Sequence, residues 1–124
     1  MVGSCFYYDT FPKGQHLFVV LAPCPEQQDW YVCVNITTKR VGSDLTCEIL
    51  KGEHPNLSSP VSVVVYSEAR ESPARLIDRQ KKQQQIPDVS AALLLKIQKS
   101  PLTEDSRLKK KYKRYIEEYL RLQR

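Results

Sequence analysis

Apolar and polar positions alternate with a period of two over residues 30–38. Trp30, Val32, Val34 and Ile36 fall on one side, and Tyr31, Cys33, Asn35 and Thr37 on the other. That period predicts a strand with one face in a core. Residues 16–22 form a short apolar run closed by Pro23, Cys24 and Pro25, which suits a strand covered on both faces. Further short strands are expected at 5–8, 46–50 and 61–66, the last carrying four valines. Turns at 25–29 and 41–44, and a loop over 51–60 punctuated by Gly52, Pro55 and Pro60, separate them. Five short strands in 66 residues predict a strongly bent antiparallel sheet or a small barrel, which buries β surface without open edges.

The period then changes. Residues 88–99 are rich in helix formers, follow Pro87 and end in lysines that suit the helix dipole. A longer helix is expected over 103–124, with Thr103 as N-cap and Glu104 and Asp105 in the first turn. Leu108, Tyr112, Tyr115, Ile116, Tyr119 and Leu122 recur at spacings of three and four and form one apolar-aromatic stripe. Between the two halves, residues 70–85 are highly polar and predict a mobile connector with one helical turn near 74–79. The expectation is one α+β domain: a β unit over 1–69, a connector over 70–87 and a helical basic segment over 88–124.

The chain has 124 residues, 19 basic and 14 acidic, for a net charge of +5. The charge is unevenly divided. Residues 1–69 hold four basic against seven acidic groups, a balance of −3, and residues 70–124 hold fifteen against seven, a balance of +8. Such asymmetry points towards a polyanionic partner. No apolar run reaches the roughly 20 residues of a membrane span, so no membrane partner is expected. The start Met1-Val2-Gly3-Ser4-Cys5 has no basic, apolar leader pattern, so a cytoplasmic location is expected. Cys5, Cys24, Cys33 and Cys47 contain no C-x-x-C pair and are expected as reduced, apolar thiols, with neither metal nor cofactor. A metal site on Cys47, His54 and His16 is the weaker alternative.

The order of segments resembles that of the MazF/PemK-like toxins. A Lys13-Gly14 turn leads into Gln15-His16-Leu17-Phe18-Val19-Val20-Leu21. A second strand ends Val34-Asn35-Ile36-Thr37-Thr38. The loop Gly52-Glu53-His54-Pro55-Asn56-Leu57 precedes Ser62-Val63-Val64-Val65-Tyr66, which leads into Glu68-Ala69-Arg70. The resemblance covers about residues 3–100. It implies a small SH3-like antiparallel β-barrel followed by C-terminal helices, a homodimer, and a neutralising acidic antitoxin protein as partner. It also implies metal-independent endoribonuclease activity on single-stranded RNA. His16-Leu17 stands where the family has Arg-Pro, and Thr37-Thr38 where it has Thr-Ser.

Carried over by position, the catalytic roles fall on His16 and Thr37. Histidine titrates near neutrality and suits proton transfer, although it lacks the permanent forked charge of arginine. Lys39 and Arg40 are placed to supply that charge, and Asn35, Thr38, His54, Tyr66 and Arg70 are the further substrate-binding candidates. Separately, Lys109, Lys110, Lys111, Lys113 and Arg114 form a basic helical stretch suited to phosphate contacts. A non-catalytic nucleic-acid or protein binding module on the same barrel is the alternative function, as is a gyrase-poisoning relative of these toxins.

Overall fold

A computed structural model describes residues 1–10 and 12–123. Five strands run β1 (Cys5–Asp9), β2 (Gln15–Pro23), β3 (Trp30–Thr38), β4 (Glu48–Leu50) and β5 (Val61–Pro73). Three helices follow, α1 (Ala74–Gln84), α2 (Ala91–Lys99) and α3 (Lys110–Leu122), and a 3-10 turn spans Lys51–Glu53. All strand pairings are antiparallel, in the order β1-β2-β3-β5-β4. Among the described residues the sheet does not close: β1 and β4 are its edges. The protein is thus α+β, with an antiparallel sheet first and helices after it.

The alternation read in 30–38 sorts the core into two clusters. Val32, Val34 and Ile36 join one cluster with residues of α2 and α3, while Cys33 joins Phe6, Phe18, Val20 and Ile77 on the opposite face. Helix α1 contributes Ile77 to that second face and covers only part of it. The rest of the face, towards His16 and Thr37, stays open, and this is what creates room for a site.

Two irregularities shape the sheet. In β2 the register against β3 shifts between Val20 and Ala22. The carbonyl of Leu21, left inside this bulge, accepts a hydrogen bond from Gln98 Nε2 at 2.9 Å. In β5, Arg70 faces Cys33 but Val65 faces Asn35, so β5 uses five steps where β3 uses two. This bulge reverses the alternation, and Ser67 and Glu68 both reach the open face while Tyr66 enters the opposite core.

Several sequence expectations need correction. The strand expected to stop at Tyr66 continues to Pro73, because its polar second half pairs with residues 30–33 of β3. The connector is ordered: residues 74–84 form a full helix rather than one turn. Its last residue, Gln84, bonds both the N–H and the C=O of Tyr7 through its amide, at 2.7 and 2.9 Å, and so caps the β1 edge as another strand would. Lys81 pairs with Asp88, and Val89 N–H bonds the Gly3 carbonyl, which fixes the chain as far as α2.

Thr103 is not the N-cap of α3; the cap is Lys109, and residues 103–109 form turns. Lys113 Nζ stabilises those turns by donating to the carbonyls of Thr103 and Ser106. Arg124, the expected end of this helix, lies outside the described residues. Helix α3 packs on the sheet: Leu108, Tyr112, Tyr115 and Ile116 are buried, whereas Leu122 is 65% exposed. The four cysteines are free and buried. Burial pushes the thiols of Cys5, Cys24 and Cys33 up to about 12 and that of Cys47 upward as well, so all are neutral and unreactive at physiological pH.

Candidate functional site

The open end of the sheet is built from two cross-strand rows. Phe18 of β2 pairs with Asn35 of β3, which pairs with Val65 of β5. One row further out, Thr37 pairs with Val63; the β2–β3 ladder ends at Leu17 opposite Ile36, and continuing its register brings His16 to the side of Thr37. Residues facing each other in this way have side chains about 4.5–5.5 Å apart at Cβ. His16, Asn35 and Thr37 therefore converge by register alone, without any loop having to fold back.

They line a hollow of about 240 Å³ together with Lys13, Asp44, Glu68 and Arg107. The Lys13-Gly14 turn delivers Lys13: Gly14 takes φ +84°, and its carbonyl accepts from Thr10 N–H and Oγ1. The β5 bulge delivers Glu68. Asp44 comes from the 41–44 turn, where its Oδ1 accepts from the N–H and the hydroxyl of Thr46 at 3.0 and 2.6 Å.

Glu68 ties this end of the site together. Its Oε1 accepts from Asn35 Nδ2 at 3.1 Å and its Oε2 from Lys13 Nζ at 3.0 Å. Those two bonds, Asn35 first, hold the Glu68 carboxyl below the usual carboxylate range, so it is ionised at neutral pH. An ionised carboxylate only accepts, which fixes the Asn35 amide with its nitrogen towards Glu68 and its oxygen away from it. Asn35 is 1% exposed, and its Oδ1 has no hydrogen-bond partner among the described residues. The same holds for two more buried side-chain atoms, His16 Nε2 and Asp44 Oδ2. All three atoms belong to residues lining this one hollow.

His16 and Thr37 also line a second hollow of about 320 Å³ on the other side of the strand ends, next to Thr38, Arg40 and the 56–59 loop. Thr38 is held there by a 2.7 Å bond between its Oγ1 and Ser59 Oγ. Lys39 is turned to Glu48 at 2.8 Å, whereas Arg40 makes no ion pair among the described residues. His16 and Thr37 thus stand on the ridge between a charge-balanced hollow and one whose charged wall residue is Arg40.

Besides Lys39, which lines neither hollow, three of the substrate-binding candidates lie elsewhere. Tyr66 is 1% exposed and donates its hydroxyl to the Ile97 carbonyl at 2.7 Å, and burial pushes its ionisation far above the ordinary range. It is a post between sheet and α2 and does not reach the groove. His54 is 3% exposed; Asn56 N–H donates to its Nδ1, so Nε2 carries the proton and donates to the Pro87 carbonyl at 2.8 Å. It fastens the 51–60 loop to the segment before α2. Arg70 stacks over Phe18 with its guanidinium carbon 5.1 Å from the ring centre, where α1 covers the sheet.

The basic stretch of α3 is largely engaged by the sheet side. Lys111 pairs with Glu71 at 3.3 Å and Arg114 lies 3.9 Å from Glu26. Burial pushes Glu71 up, but bonds from the Cys24 thiol, Lys111 and Tyr112 outweigh it and keep the carboxylate ionised. Lys109 sits 5.9 Å from the Tyr112 ring centre, Lys113 caps the preceding turns, and Lys110 is exposed.

Sequence reading missed Glu68, Asp44, Lys13 and Arg107. The Asp44-x-Thr46 spacing carries a signal for a fixed carboxylate, since an Asp two residues before a Thr closes a side-chain turn. The bulge that aims Glu68 has no such signal. No group of three or more His, Cys, Asp or Glu side chains able to hold a metal occurs among the described residues, which covers the Cys47, His54 and His16 alternative. Among the described residues, no helix is long and apolar enough to cross a membrane. No family model, curated protein or solved structure matches this chain.

Proposed function

We propose that this chain is a MazF/PemK-like protein whose bent sheet serves as an SH3-like barrel, and that it cleaves single-stranded RNA without a metal in the groove at the open sheet end. The observation that carries this reading is the ridge: the two residues given catalytic roles by position, His16 and Thr37, together line both hollows. One hollow is polar and charge-balanced, as an uncharged base requires, and the other offers Arg40 to a phosphate.

In the reaction, the His16 imidazole takes the proton of the ribose 2′-hydroxyl, and the 2′-oxygen attacks the adjacent phosphorus. The bond from phosphorus to the 5′-oxygen breaks, and that oxygen is protonated by solvent at the open side of the groove. The products are a 2′,3′-cyclic phosphate and a free 5′-hydroxyl. Thr37 Oγ1 donates to a non-bridging phosphate oxygen, and Arg40 offsets the charge that develops there. The cations of α3 do not carry the activity in this reading, because Lys111 and Arg114 already face carboxylates. A homodimer and an acidic partner segment lying in the same groove complete the reading and rest on the resemblance alone.

The test is incubation of the chain with a long single-stranded RNA in a chelator, with the ends mapped chemically. Cyclic phosphate ends that disappear in both His16→Ala and Thr37→Ala, with unchanged thermal unfolding, support the proposal. Uncleaved RNA, or full cleavage by either variant, overturns it.

A further inference from the structure

The hollow beside Arg40 has walls of a different chemistry from its neighbour across the ridge. Its described lining holds the hydroxyls of Thr37, Thr38, Ser58 and Ser59, one permanent cation at Arg40, and neither aspartate nor glutamate. The neighbouring hollow has Asp44 and Glu68 in its lining. Lys13 and Lys39 each face a carboxylate, whereas Arg40 faces none among the described residues. These groups are within reach of a ligand: Arg40 and Ser58 are exposed, and Thr37, Thr38 and Ser59 are half-buried. The Thr38 and Ser59 hydroxyls share a single 2.7 Å hydrogen bond, so whichever of them donates, the other keeps its own proton to give.

The walls are held in place by the fold itself. Asn56 N–H donates to His54 Nδ1 at 3.1 Å and Leu57 N–H to the His54 carbonyl at 3.2 Å, while the His54 ring is fastened to the Pro87 carbonyl at 2.8 Å. The bond between Thr38 and Ser59 closes the far end of the same loop onto β3. Arg40 opens a tight turn, with its N–H donating to Ser43 Oγ at 2.8 Å and Ser43 N–H to the Arg40 carbonyl at 3.1 Å. Donors fixed in this way lose little freedom when a ligand binds.

We propose that this hollow is a preformed phosphate site, in which Arg40 supplies the charge and Thr38, Ser58 and Ser59 supply hydroxyl donors. A phosphate is an anion that presents acceptors in every direction, and it is matched by several donors, one cation and no carboxylate. A neutral molecule gains nothing from Arg40, and a cation finds no counter-charge in the wall. The volume of about 320 Å³ is more than a phosphate group fills, so the group can enter free or carried on a sugar. The inference goes beyond the RNA reading, because the carrier need not be RNA.

The experiment titrates the whole chain with inorganic phosphate, uridine 3′-monophosphate and uridine, at an ionic strength held constant with sodium chloride, followed by amide NMR and calorimetry. Phosphate and the nucleotide are expected to move the amide signals of residues 38, 40, 58 and 59 to saturation, and uridine to move none of them. Arg40→Gln and Thr38→Val should each weaken phosphate binding about tenfold, as loss of one hydrogen bond to a charged group does. Lys82→Gln removes an exposed cation on α1 and should leave the affinity unchanged. Thermal unfolding of Arg40→Gln should match that of the unsubstituted chain, because Arg40 is exposed. Tighter binding of the nucleotide than of phosphate supports a sugar-borne occupant, and equal binding supports the free group. Uridine shifts equal to those of the nucleotide, no saturable shift with either phosphate compound, or full affinity in Arg40→Gln overturns the site. Phosphate bound there while long RNA stays uncut keeps the site and overturns the RNA reading; RNA cut without phosphate bound does the reverse.

Discussion

Replacing Tyr66 by phenylalanine separates a structural role from a catalytic one at a position that the sequence alone places beside substrate. The Ile97 carbonyl belongs to the last turn of α2, and the residue four further on, which would donate to it in a continuing helix, is Pro101. The Tyr66 hydroxyl fills that role at 2.7 Å, in a place where Tyr66 is 1% exposed. Removing one oxygen keeps the ring and its packing but leaves a buried carbonyl without a donor, which costs about 1–3 kcal/mol. For a chain of 124 residues this corresponds to a drop of about 4–12 °C in Tm. The assay is thermal unfolding by circular dichroism, paired with the initial rate of the proposed RNA cleavage at a temperature where both proteins are folded. The expected outcome is a lowered Tm with an unchanged rate. An unchanged Tm with a lost rate would refute the reasoning and return Tyr66 to the groove.

Alkaline pH tests the buried thiols. Their folded values, about 12 for Cys5, Cys24 and Cys33, lie above the ordinary value of about 8.5, so their contribution to stability is complete below about pH 8.5 and is lost as pH rises towards 12. The urea midpoint at about pH 10.5 should fall clearly below that at about pH 8, and a flat profile would contradict the burial. Charge in the groove is tested by salt: Arg40→Ala should weaken binding of a labelled single-stranded RNA for every sequence and reduce the slope of log K against log salt by about 0.7. Lys111→Ala should leave that slope unchanged, because its ammonium lies on Glu71. Fluorescence anisotropy at a series of salt concentrations decides, and the opposite ordering would move the phosphate contact to α3.

The strands and their faces were legible because period-two patterning reports burial directly. The range 30–38 is reproduced to the residue, and its two sides enter two different core clusters. The meeting of His16 with Thr37 is a consequence of that register. What was not legible depends on departures from periodicity. The second half of β5 reads as polar because its side chains go to the hollow, to Phe18 and to α3 rather than to an apolar core. Helix α1 buries only Ile77, too little to show in a polar stretch. Thr103-Glu104-Asp105 has the composition of a helix start, yet Ser106 Oγ bonds back to the Pro101 carbonyl and the helix begins only at Lys110. For His54 and Tyr66 the sequence does not show burial, and burial with satisfied hydrogen bonds accounts for both.

The bulge in β5 makes the site separable from the fold. Tyr66 and Glu68 are two positions apart and would share one face of an unbroken strand, but the extra residues send one into the core and the other into the hollow. A shortened β5 that pairs without interruption would keep the ladder with β3 and lose the carboxylate that orients Asn35. The groove chemistry is in this sense an insertion carried by a sheet that does not depend on it. A single change in strand length, with no change in residue type, would convert a chain with a polar site into a plain scaffold.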